Sequence, residues 1–515
     1  MGNMDRRDFM RGTTIALAGL AAAGPLSLLS AKRALGQNAG GLGPSPYGRI
    51  RAVNDRTTGL PLLHLPAGFT YRSFGWTWDT MTVGGTTPAF HDGMDVVQVR
   101  NNRFRDLVLV RNHEVRNSPG PFSVPFDRTD PAIAAVTYNP AGTDPAASDL
   151  FFGGTTNIVF RRGKWIESRP SLAGTTTNCA GGGTPWGSWL TSEEFIGDIA
   201  GVPHGYVFEV PGDQLNFPTH PVPLTELGRF SHEALAVDPE TAIVYETEDD
   251  SNGCGLYRFI PNVLARKLPS EVRPYDLEEG GRLEMLAVCD ADGDIVPNVD
   301  LRNPVAGQVF RIKWVSVQFP DVPRTVGGAT LPVNGNFPSG VRNVSGPFAQ
   351  GWAAGGATFF RGEGCWFARS ALWFDDTGAG PVGEGAIWRL DPEADPVTGA
   401  ARLTCIYVSQ VESALDNPDN LTVSPRGGIL ICEDGSSDAL RLIGLRPDGR
   451  SYEFARNAIN ITAPIPGKPL VPADEYTGQE WAGACFDPTG RWLFVNIQTP
   501  GITFAITGPW ARGNL

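Results

Sequence analysis

Apolar residues in this chain come in short runs, each closed by turn residues within a few positions. Leu107-Val108-Leu109-Val110, Ala242-Ile243-Val244-Tyr245, Gly428-Ile429-Leu430-Ile431 and Trp492-Leu493-Phe494-Val495 are of this kind. Punctuation such as Asp487-Pro488-Thr489-Gly490 follows them, and long helical periodicity is missing. Many short strands with regular turns build a sandwich, a barrel or a propeller.

The polar residues ahead of these runs decide between the three. Glu233 is followed six residues later by Pro239, then by Glu246 and Glu248. Asp419 is followed six residues later by Pro425, then by Glu433-Asp434. Cys179, in Asn178-Cys179-Ala180-Gly181-Gly182-Gly183, also precedes a carboxylate pair, Glu193-Glu194. Six candidate inward-pointing head groups are Glu114, Cys179, Glu233, Glu363, Asp419 and Glu480, separated by 65, 54, 130, 56 and 61 residues. Four gaps near one length and one of about twice that length predict an all-β, six-bladed propeller. The long gap places an insertion between the third and fourth blades, around 264–345, which is rich in Pro, Gly and Asn. No linker divides the rest, so residues 37–515 read as one domain.

Composition changes this picture at the N-terminus. Arg6-Arg7 in Asp5-Arg6-Arg7-Asp8-Phe9-Met10 precedes a modest apolar run from Thr13 to Leu29, and Ala34-Leu35-Gly36 is a cleavage-like end. Residues 1–36 therefore read as a twin-arginine (Tat) signal, with the Tat machinery as an export partner. That route carries folded proteins, so a cofactor can be loaded before export. The expected location is periplasmic or extracellular. No later run reaches the ~18 apolar residues of a membrane span. The formal net charge of −13 argues against nucleic acid as a partner. The seven cysteines include no CxxC, and Cys179 stands apart from the others among Asn, Gly and Thr.

The candidate chemistry is acidic. His113-Glu114 and His232-Glu233 share a pairing, and Glu193, Glu194, Glu248, Glu363, Asp416, Asp419, Glu433, Asp434 and Glu480 add carboxylates. Oxygen ligands in this number suit calcium. One thiolate, Cys179, among them points to a second, softer or redox-capable metal, iron. In Arg361-Gly362-Glu363-Gly364 two glycines let the backbone approach a ligand, and the Arg361 fork matches phosphate oxygens. The runs Gly153-Gly154-Thr155-Thr156-Asn157 and Gly174-Thr175-Thr176-Thr177-Asn178 present amides and hydroxyls, with Asn157 and Thr177 as candidate phosphate contacts. No GxxxxGKS loop, GxSxG elbow or HExxH spacing occurs.

Taken together, Asn112-His113-Glu114, Asn178-Cys179-Ala180-Gly181-Gly182, Trp189-Leu190-Thr191-Ser192-Glu193-Glu194, Ser231-His232-Glu233-Ala234, Arg361-Gly362-Glu363-Gly364, Asp416-Asn417-Pro418-Asp419-Asn420 and Cys432-Glu433-Asp434-Gly435 resemble the PhoX family of alkaline phosphatases. The resemblance implies a propeller with a mixed Fe3+ and Ca2+ cluster in its central channel. Cys179 would be the thiolate ligand of an iron, with Glu233 and Glu363 bridging or flanking the irons. Arg361 would bind the phosphoryl group. Glu114, Glu194, Asp419, Glu433 and Asp434 would serve calcium or the cluster's outer edge. The implied activity is hydrolysis of small phosphomonoesters, with the preference for monoester over diester left open, through a metal-bound oxo, hydroxide or water, with no covalent phosphoenzyme. The expected form is a monomer. Two other readings stand at this stage. One is a calcium-dependent propeller lactonase or esterase, which has no use for a thiolate at 179. The other is a calcium-stabilised binding propeller.

Overall fold

A computed structural model describes residues 41–116, 122, 124–143, 152–213, 221–262, 277–322, 344–393, 399–411, 414–446 and 449–515. The proposed signal at 1–36 lies outside these residues. Nearly all regular structure is β. The architecture is that of a β-propeller.

Six antiparallel hairpins form its inner wall. In chain order they are His91–Val99 with Leu107–His113, Asn178–Gly183 with Ser188–Glu193, and His232–Val237 with Val244–Glu248. Gly362–Ala368 with Ala371–Asp376, Pro418–Val423 with Ile429–Glu433, and Trp481–Phe486 with Leu493–Ile497 complete the set. The first strand of each packs on the first strand of the next, and the sixth packs on the first, so the inner strands form a closed ring. These strands are buried on both faces, which explains their unbroken apolar runs. Further strands extend each hairpin outward, among them Gly153–Arg161 and Lys164–Thr175 in the first sheet.

Both ends of the described residues are woven into this ring. Thr70–Phe74 pairs with Ile502–Thr507 and completes the sixth sheet. Ile50–Val53 and Leu63–Pro66 extend the fifth sheet beyond Ser451–Asn457. Large apolar clusters fill the spaces between sheets; one gathers Tyr47, Phe69, Phe454 and Trp510 around the joined ends.

The segment expected as an insertion contains outer strands of the ring's sheets. Gly281–Cys289 is the outer strand of the third sheet. Val309–Val317 pairs with it and also with Ala401–Val408, the outer strand of the fourth sheet. The third and fourth sheets are thereby joined into one nine-stranded sheet.

Candidate metal centre

The six hairpins share one detail of register. In each, the first strand carries an extra residue near its start, between His91/Met94, Asn178/Gly181, His232/Leu235, Gly362/Cys365, Pro418/Leu421 and Ala482/Cys485. Such bulges re-aim a side chain. The second residue of each first strand is then Asp92, Cys179, Glu233, Glu363, Asp419 or Ala482. A backbone hydrogen bond closes each hairpin just outside its strands. The amides of Glu114, Glu194, Asp249, Thr377, Asp434 and Gln498 donate to the carbonyls of Phe90, Thr177, Ser231, Arg361, Asn417 and Glu480. These equivalent positions define three circles of side chains at one end of the channel.

The circles hold four groups whose candidate ligand atoms lie within 4.8 Å of one another. They are Asp92, Glu114 and Cys179; Cys179, Glu194 and Glu233; Glu233, Glu363 and Asp419; and Asp419, Asp434 and Glu480. Shared members link them into an arc. Cys179 Sγ lies 3.1 Å from Glu233 Oε1 and 3.7 Å from Asp92 Oδ2. Gln498 Nε2 joins the two ends of the arc, 2.6 Å from Glu480 Oε2, 2.8 Å from Glu114 Oε2 and 3.3 Å from Asp92 Oδ2.

The backbone around the arc is pinned. Asn112 Nδ2 donates to the carbonyls of Cys179 (3.0 Å) and Ala180 (2.7 Å), and Asn496 Nδ2 to that of Asp92 (2.6 Å). Thr247 Oγ1 donates likewise to the carbonyl of Glu363. Each bond runs from one hairpin to the next. At Gly93 the neighbouring strand comes so close that a Cβ would lie 2.5 Å from Ala180 Cα.

Burial and mutual repulsion push these acids toward protonation. Burial comes first for Asp92, Glu194, Glu233, Glu363, Asp419 and Glu480, all raised well above the usual carboxylate range, with neighbouring carboxylates second. Burial, then Asp92 and Glu233, likewise raises the Cys179 thiol. Asp92 Oδ1, Glu233 Oε2 and Glu480 Oε1 are buried without a hydrogen-bond partner. Converging carboxylates with orphaned oxygens call for positive charge at their centre, and a bound cation reverses the pKa shifts. The donor set fits metal ions: oxygens for hard cations and one sulfur for a softer one.

Arg361 stands at the mouth with a left-handed backbone (φ 58°). Its Nε lies 3.0 Å from Asp249 Oδ1, and its Nη2 lies 2.9 Å from Asp249 Oδ2 and 3.0 Å from Glu363 Oε1. Burial opposes its charge, but Glu363 and Asp249 hold it firmly protonated. Thr177, also left-handed (φ 48°), is buried beside Glu194, whose amide its carbonyl accepts.

The structure brings together Glu114, Cys179, Glu194, Glu233, Glu363, Asp419 and Asp434 from the sequence reading. Three expected residues are turned elsewhere. Glu193 precedes Glu194 on a strand, so it faces the opposite side. Its carboxylate accepts from Thr176 N (3.0 Å), His204 Nδ1 (2.6 Å), Gly205 N (2.8 Å) and Tyr206 N (3.2 Å). Glu433, one before Asp434, is likewise occupied by Asp416 N (3.0 Å) and by Arg441 N, Nε and Nη2 (2.9, 2.8 and 2.7 Å). Asn157 sits outside the inner hairpins and donates to Pro211 O and Gly212 O, both at 2.9 Å.

The sequence reading missed Asp92, Asp249 and Gln498, and left Glu480 out of the ligand set. Glu114 was taken as the first head group, but it lies at the exit of a second strand; Asp92 heads the first. The signal was there in His91-Asp92-Gly93-Met94, which repeats the His-acid-small-apolar order of His232-Glu233-Ala234-Leu235. All seven cysteines are buried and none is paired in a disulfide.

The family profile described as Alkaline phosphatase PhoX matches residues 46–169 and 162–501. The chain belongs to the PhoX family. PhoX from Pseudomonas fluorescens, solved in complex with vanadate, a transition state analogue, is similar in structure. It is 17% identical, with a TM-score of 0.59, over 90% of this chain and 99% of that one. A gluconolactonase from Xanthomonas campestris aligns over 92% of this chain and 98% of its own at 10% identity and a TM-score of 0.37. No curated protein matches this PhoX family member in sequence. Family membership makes it a phosphatase of a metal-dependent kind, and the acidic arc offers groups that could hold metal. No helix among the described residues is long and apolar enough to cross a membrane.

Proposed function

We propose that this protein is an exported alkaline phosphatase that hydrolyses phosphomonoesters at a mixed calcium and iron centre. The observation that carries the reading is the coexistence, at one channel mouth, of the acidic arc, the single thiolate candidate Cys179 and the guanidinium of Arg361. A calcium-only lactonase or binding propeller has no use for that combination.

The residues divide the work. Cys179, Glu233 and Glu363 would hold iron; Asp92, Glu114, Glu194, Asp419, Asp434 and Glu480 would hold calcium or the edge of the centre. When bound, the cations supply neutralisation of phosphate charge and acidify water for attack on phosphorus. Arg361 orients the phosphoryl group and stabilises charge growing on its equatorial oxygens. Thr177 would contact the same group, whereas Asn157, bonded to Pro211 O and Gly212 O, is occupied elsewhere. The buried wall behind the arc limits water to the mouth. Nothing in this arrangement uses a serine or threonine nucleophile, so no phosphoenzyme forms. The Arg6-Arg7 segment would direct export of the folded monomer through the Tat pathway to the periplasm or beyond.

The test is hydrolysis of an aryl phosphate by the purified mature protein, with elemental analysis of the same sample and of Cys179→Ala. Calcium-dependent turnover with bound iron, and loss of both in the variant, supports the reading. Iron-free protein without turnover, unaffected by the substitution, overturns it.

A further inference from the structure

Asp249 occupies the same hairpin position as Glu114, Glu194 and Asp434, just beyond the second strand, with its amide bonded to the carbonyl of Ser231. Those three acids belong to the cation groups of the arc; Asp249 belongs to none of the four. Its side chain is 9% exposed, and both of its oxygens are engaged by Arg361. A planar guanidinium bound along one edge by a carboxylate has little freedom to turn. Glu363 Oε1 takes a further proton of Nη2. The remaining nitrogen, Nη1, donates to no described residue, and the Arg361 side chain is 41% exposed. The fork is thus fixed on one edge and open on the other.

From this geometry we infer that Asp249 is a positioning residue: it aims the free Nη1 edge of Arg361 at the phosphoryl oxygens of the substrate. The role rests on the phosphatase reading above. It also explains an otherwise unfavourable arrangement. Asp249 adds negative charge to a crowded acidic site, raising Glu363 and, through a hydrogen bond as well, Glu194, yet it is a member of none of the four cation groups. Its compensation is Arg361, which would otherwise swing on a long flexible stem at the channel mouth. With Asp249 and Glu363 both engaged, Arg361 offers directed donors more than net positive charge. Binding through it should therefore depend on geometry, and replacement by lysine should not restore it.

The experiment is a double-mutant cycle on the metal-loaded protein, with Asp249→Asn, Arg361→Ala and the pair. The readouts are calorimetric binding of inorganic phosphate, KM and kcat on an aryl phosphate, and metal content. Asp249→Asn is expected to weaken phosphate binding about ten- to a hundredfold, as misplacement of an orienting group does. It is expected to do nothing more once Arg361 is gone, and to leave metal content unchanged. Asp249→Ser, which leaves room for water, should behave alike and serves should the first variant not fold. Wild-type phosphate binding in Asp249→Asn, an equal effect in the Arg361→Ala background, or loss of metal would each overturn this role alone. A wild-type protein that binds no phosphate would overturn it together with the phosphatase reading.

Discussion

Replacing Glu433 with alanine should weaken the fold and spare the metal centre. Its carboxylate is fully buried and accepts three hydrogen bonds from Arg441 at 2.7–2.9 Å and one from the amide of Asp416 at 3.0 Å. The Arg441 side chain is itself only 9% exposed. Breaking such a buried ion pair by removing one partner costs about 3–5 kcal/mol. An unfolding entropy of ~2.1 cal/mol/K per residue, summed over a chain of this length, gives about 1 kcal/mol/K. The expected fall in Tm is therefore about 3–5 °C. The assay is thermal melting followed by circular dichroism, with calcium and iron counted per folded chain. Unchanged Tm with lost metal would refute the reasoning and return Glu433 to the ligand set. Glu433→Gln, which cannot carry the charge but keeps an acceptor, should fall between the two.

Three further outcomes follow from the same geometry. Burial pushes the Glu248 carboxyl up to about 7, while it accepts from Tyr257 Oη (2.6 Å) and Gly255 N (3.1 Å). The folded protein then keeps a proton that an unfolded glutamate releases near ~4.3, so this residue's contribution falls as pH rises from about 4.3 to about 7 and is flat above, by up to ~4 kcal/mol. Glu248→Gln should flatten that part of the stability–pH curve, read from denaturant midpoints; an unchanged slope would count against a neutral buried Glu248. Gly93→Ala forces a Cβ to 2.5 Å from Ala180 Cα. Because that atom is backbone, the variant should lose at least the ~1–3 kcal/mol of ordinary overpacking and bind less metal as Asp92 and Cys179 separate; a wild-type Tm would show that the strands can part freely. Chelation should lower Tm and added calcium restore it, by ~4 kcal/mol for each site held at a thousandfold over its Kd; a Tm indifferent to chelator would mean that the acids repel without cations to join them.

The strands and their spacing were readable because inner strands buried on both faces leave unbroken apolar runs, as in Ile429-Leu430-Ile431-Cys432. Glu233, Glu363 and Asp419 were readable because each heads a strand-like run, and Cys179 because it stands among Asn, Gly and Thr, unlike the other cysteines. Which acid of a pair faces the channel was not. Glu193 and Glu194 differ only by the alternation of a strand, and the parity is set by the hairpin's register and its bulge, which pattern alone does not fix. Asp92 was hidden because Glu114, after its own His, looked equally good in one dimension. Asp249 and Gln498 escaped because they act through partners far away in sequence: Arg361 for the first, and Glu114 for the second. The strand Val309–Val317 was lost in a segment whose Pro, Gly and Asn content reads as loop.

The joining of the chain's two ends bears on when the site can exist during synthesis. The pair Thr503↔Phe74 closes the circle between residues more than 400 positions apart. Contacts of such separation form late, because the entropy of closing a long loop must be met before they stabilise anything. The arc draws its members from Asp92 to Glu480, so it is incomplete until residue 480 has been made, and Ile502–Thr507, the strand that pairs with Thr70–Phe74, follows later still. A chain that stopped before Ile502 would carry every member of the arc and lack the strand that ties the sixth sheet to Thr70–Phe74.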